Sequence, residues 1–94
     1  MPRTLLAQSY FHKSSEHESG SPEADVYINI CLVADLYDGN IEHILTHLQD
    51  YMLSRWRNVV RIPGFSESYY EAWNRRVELM EAEIQLLKKL QQGE

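Results

Sequence analysis

His43 and His47 stand one helical turn apart and Asp50 follows on the same face, which offers two imidazoles and a carboxylate to a divalent cation such as zinc. Spacing of this kind is weak by itself. In His43-Ile44-Leu45-Thr46-His47 the second residue is Ile44, so the glutamate that acts as general base in a zinc-protease helix is absent, and no fourth ligand is indicated. The expectation is a solvated polar face without metal or cofactor, where a histidine and Asp50 pair weakly.

Arg55-Trp56-Arg57 with Arg61 is the one concentrated positive region, in a stretch from Tyr51 to Ser66 that contains no acid. Arginine beside an aromatic ring is the combination that grips phosphate and stacks a base, so Arg55, Arg57 and Arg61 form a candidate nucleic-acid contact. Two features oppose it. Trp56 falls on an apolar helix face, and arginines near a helix C-terminus also complement the helix dipole.

The preceding stretch has the opposite character. From Ser21 to Ser54 there are six acids, Glu23, Asp25, Asp35, Asp38, Glu42 and Asp50, and no lysine or arginine. Such a negative end suits a basic groove on a partner, including one that normally holds nucleic acid, which would make the protein inhibitory. A net charge of -5 opposes general attraction to nucleic acid or anionic lipid.

Cys31 is the only cysteine and lies in the apolar run from Val26 to Val33. No internal disulfide can form, its thiolate is disfavoured there, and a reducing, cytoplasmic compartment is expected. Paired carboxylates, a Ser/His/Asp set, a glycine-rich phosphate loop and a Cys-x-x-Cys pair are all missing in specific form, so no enzyme is expected. The opening Met1 to Ser9 lacks a signal-peptide core, and no apolar run approaches the roughly 20 residues needed to cross a bilayer, so neither secretion nor membrane insertion is expected.

The elements that must position these groups are mainly helical. Residues 1–20 read as an N-terminal arm, with an apolar island at Leu5, Leu6, Tyr10 and Phe11 and then a mobile loop from Lys13 to Ser21 without an anchoring hydrophobe. Residues 21–94 read as a single helical domain. Ser21-Pro22-Glu23 opens a helix near 22 to 38, whose apolar side chains fall almost all round and place it centrally. Asp38-Gly39-Asn40 is a tight turn into a second helix near 41 to 60, with Ile41, Ile44, Leu45, Leu48, Met52, Trp56 and Val59 on one side. Pro63-Gly64 makes a turn, Ser66 caps a third helix near 67 to 91, and Phe65 can staple to Tyr70.

That third helix has two apolar stripes. Tyr70, Trp73, Val77, Met80, Ile84 and Leu87 follow 3, 4, 3, 4 and 3 spacing, a heptad seam, while Ala72, Leu79, Leu86 and Leu90 lie beside it. The expectation is that the second stripe anchors the helix to its own domain while the seam binds a partner helix or a second copy in a homodimer.

The expected fold is therefore an all-α bundle of three main helices with a flexible N-terminal arm. The alternative is α+β, with the N-terminal island and residues 26–33 forming a β-hairpin. The expected function is that of a small regulatory, adaptor or inhibitory protein that docks on a larger protein. A nucleic-acid-binding regulator using Arg55, Arg57 and Arg61 is the second reading.

Overall fold

A computed structural model describes residues 3–93. Four helices account for the architecture, with no strand among the described residues: α1 is Leu5–Ser15, α2 is Pro22–Leu36, α3 covers residues 41–59, and α4 is Glu67–Gln91. The hairpin alternative is thereby excluded. The β-branched residues of 26–33 sit in a helix because burial of Val26, Ile30 and Val33 outweighs their modest local preference for strand; Leu32, 55% exposed, marks the side of the helix left to solvent.

Each expected entry signal is used. Ser21 Oγ accepts from Ala24 N–H at 3.2 Å, Asn40 Oδ1 from His43 N–H at 3.1 Å, and Ser66 Oγ from Tyr69 N–H at 3.2 Å. These bonds satisfy backbone donors that a helix leaves free in its first turn. Asp38 and Gly39 both take positive φ, 52° and 78°, and reverse the chain between α2 and α3. Phe65 crosses Tyr70 at 6.4 Å as a staple and also stacks on Tyr69 at 4.3 Å.

The N-terminal segment differs from a flexible arm. Thr4 caps α1 by accepting from Ala7 N–H at 3.2 Å, and Ala7 and Tyr10, one turn apart, are buried against the antiparallel α2. Lys13, Ser14 and Ser15 continue the helix rather than opening a loop, and Ser14 Oγ donates to Ala24 O at 2.8 Å. Two small or aromatic core residues and a cap suffice because α2 offers a whole apolar face to receive them.

At the centre lies α2, with Val26, Ile30, Cys31 and Ala34 sealed from solvent between α1 on one side and α3 and α4 on the other. Helix α3 is not regular: His47–Leu53 is π-helical, flanked by α-helical Ile41–Thr46 and Ser54–Val59. A π turn closes i→i+5 hydrogen bonds, so residues five apart share a face. Leu48 and Leu53 are both buried for this reason, and Leu53 is a core residue that a regular 3.6-residue period does not find.

Candidate functional site

The heptad seam of α4 faces inward. Met80, Ile84 and Leu87 are buried in the core, and Tyr70, Trp73 and Val77 are half-buried towards the Pro63-Gly64 end. Of the second stripe, Leu86 and Leu90 turn outward, 49% and 53% exposed, while Ala72 is half-buried and Leu79 packs against the core. The seam expected to bind a partner is therefore occupied at Met80, Ile84 and Leu87 by the chain's own α2 and α3, and of the stripe expected to anchor the helix Leu79 does so while Leu86 and Leu90 are left outside.

One charged side chain, Glu83, shares the inward side of α4. It lies on the buried side of α4 beside Ile84, only 5% exposed, and its Oε1 accepts from Lys13 Nζ at 3.0 Å. The ammonium also sits 4.6 Å from the centre of the Tyr27 ring and 5.7 Å from that of Tyr10, where the ring faces attract a cation. Burial, reinforced by the negative Glu83, pushes the Tyr10 hydroxyl above its ordinary ionisation range. A carboxylate within an apolar stripe was the sequence signal for this cluster, which the heptad reading passed over.

Side chains of α1 and α4 meet across a wider interval than those of α1 and α2, and the Lys13–Glu83 pair bridges it. Above it opens a groove of about 390 Å³ lined by Leu6, Tyr10, Lys13, Glu83, Leu86 and Leu90. Leu5, 84% exposed, stands at the N-terminus of α1. The groove combines the aliphatic side chains of Leu6, Leu86 and Leu90 with polar Ser9 and Lys89 and with the Lys13–Glu83 pair; no buried side-chain nitrogen or oxygen among the described residues lacks a hydrogen bond.

The basic segment is partly consumed by the fold. Arg57 Nη2 meets Glu81 Oε2 at 2.9 Å, and Trp56 packs edge-on against Trp73 at 5.9 Å rather than standing free for a base. Arg55 and Arg61 are exposed and make no ion pair among the described residues. The acidic segment is likewise drawn inward at Asp25, whose Oδ2 lies 2.6 Å from Arg76 Nε, and at Glu23, 3.4 Å from Arg75.

His43 and His47 come together, but around tyrosines. Tyr37 Oη is 2.9 Å from His47 Nδ1, Tyr37 crosses the His43 ring at 5.8 Å, and His47 stacks on Tyr51 at 5.4 Å. Among the described residues no group of three or more His, Cys, Asp or Glu side chains assembles into a metal-binding cluster. Cys31 is fully buried, which raises its thiol pKa and disfavours the thiolate.

Fold and surface together define a small all-α protein of four helices with an open, aliphatic groove between α1 and α4. Comparison with protein-family models, curated proteins and solved structures finds no match to this chain. No helix among the described residues is long and apolar enough to cross a membrane.

Proposed function

We propose that this chain is a small regulatory, adaptor or inhibitory protein that acts by binding a larger protein through its helical surfaces, and that it does not work as an enzyme. The observation that carries the reading is the outward stripe of α4: Leu86 and Leu90 stand exposed beside Leu6 on the open side of a groove. Aliphatic side chains gathered on one face are the usual centre of a protein interface. Self-association would use the same face, since the heptad seam is filled by the chain's own core.

Leu86→Glu and Leu90→Glu test this. Both side chains point to water, so the variants should keep the helical spectrum and cooperative melt of the parent. Proteins co-purifying with the parent from its native cell should be lost with the variants, and any dimer seen by sedimentation equilibrium should dissociate. Retention of every partner by two folded variants would remove the groove from the account.

The second reading, a nucleic-acid-binding regulator, draws on Arg55 and Arg61, exposed in an acid-free stretch. It requires binding to a duplex or single strand that weakens steeply with salt. Salt-independent behaviour would favour the protein partner.

A further inference from the structure

We propose that the hollow at the α2–α3 corner binds an organic cation of the alkylammonium class, independently of the α1–α4 groove. Its walls are Tyr37, His43, Thr46, His47 and Tyr51 around a space of about 290 Å³. Tyr37 is held against His47 through Oη and Nδ1 at 2.9 Å and stands across it at 61°, while Tyr51, four residues on along the π-helical segment, lies over His47 with the two rings 26° from parallel. Tyr51 remains 62% exposed, so part of its ring is open to solvent beside the hollow. Segments of π-helix recur at functional sites, where they displace side chains from the regular helical register.

The charge around the hollow selects the ligand. Among the described residues no lysine or arginine lines the hollow, Arg3 near the α2–α3 turn is paired with Asp35 at 3.0 Å, and Asp38, Glu42 and Asp50, each next to a hollow residue in sequence, make no ion pair. Aromatic walls without a lysine or arginine, with unpaired carboxylates adjoining them in sequence, favour a positive group over a phosphate or carboxylate. The mainly carbon lining favours a cation clothed in methyl groups over a hydrated metal ion, which needs several oxygen ligands. Two sources share this chemistry: a methylated lysine on a partner, and a free small quaternary ammonium.

The test is a titration of the full chain with tetramethylammonium chloride at constant ionic strength, followed by the NMR signals of the histidine and tyrosine rings. Saturable shifts at His43, His47 and Tyr51 are expected, with tert-butanol, the neutral counterpart, producing none. Tyr51→Ala and Tyr51→Leu should weaken binding by about tenfold, the second keeping an apolar side chain but no ring face. Equal saturation by tert-butanol, shifts without saturation, or undiminished binding in either folded variant would overturn the proposal. A short peptide carrying trimethyllysine separates the sources: binding about tenfold tighter than tetramethylammonium assigns the hollow to a partner's side chain, and equal binding to a free cation.

Discussion

Lys13 Nζ lies 3.0 Å from Oε1 of Glu83, a pairing across 70 residues of sequence that ties α1 to α4. The ammonium is 41% exposed at the side chain and the carboxylate 7%. The pair is therefore lopsided: solvent screens the cation, but the anion depends on it. A buried carboxylate without a partner is costly, whereas a neutral group of the same shape is tolerated far better.

Lys13→Met should lower stability by about 1–3 kcal/mol, below the roughly 3–5 kcal/mol of a fully buried broken pair because Lys13 keeps contact with water. Adding Glu83→Gln to that variant should recover most of the loss. Urea midpoints of the two singles and the double supply the comparison; a double variant as weak as the sum of the singles would show that the two groups are not coupled.

The two stripes of α4 should respond oppositely to truncation. Met80→Ala removes a fully buried side chain and should cost about 2–5 kcal/mol, while Leu90→Ala, at a half-exposed position, should stay within about 0.5 kcal/mol. Met80→Glu and Ile84→Glu should unfold the chain altogether. A folded Met80→Glu variant by circular dichroism would contradict the inward placement of the seam.

Glycine is required at the α2–α3 turn for two separable reasons. Gly39 has φ +78° and a Cβ there would meet Thr4 Cγ2 at 3.2 Å, whereas Gly20 has φ +88° with nothing within 4 Å. Gly20→Ala should cost about 1 kcal/mol, the conformational term alone, and Gly39→Ala more than that by the displacement of the α1 cap. Combining Gly39→Ala with Thr4→Ser, which removes Cγ2 and keeps the capping hydroxyl, should bring the two glycine sites level in thermal melts.

Stability should decline on the alkaline side. Burial raises the pKa of both the Cys31 thiol and the Tyr10 hydroxyl, so the folded state keeps protons that the unfolded chain gives up. Their stabilisation is complete below the ordinary values of the free groups, about 8.5 and 10, and is lost progressively as pH rises past them. Urea midpoints should fall between pH 8 and pH 11, roughly in two steps, and Cys31→Ala should remove the earlier one. A flat profile over that interval would disprove the assignment.

Local chemistry was legible in the sequence. Ser21, Asn40 and Ser66 specify three helix starts because a short oxygen-bearing side chain answers free N–H groups two or three residues away, whatever the rest of the chain does. The turn at Gly39 follows from backbone sterics in the same local way. Thr4 carried the same kind of signal for α1, but an 11-residue helix with only Ala7 and Tyr10 buried leaves too short a pattern to read without its neighbour.

Only the tertiary structure decided which stripe of α4 faces inward, that α3 widens into a π turn at His47–Leu53, and that Lys13 meets Glu83. Periodicity shows that an apolar stripe exists; it does not identify the surface that covers it. Two stripes side by side on one helix are locally equivalent, and the choice between them depends on how completely each fills the space left by α1, α2 and α3. The π turn has the same origin, since one extra residue in a turn is favourable only where it brings Leu53 into that shared interior. Packing is a property of the assembled set of helices, and so these features have no signature in any one segment.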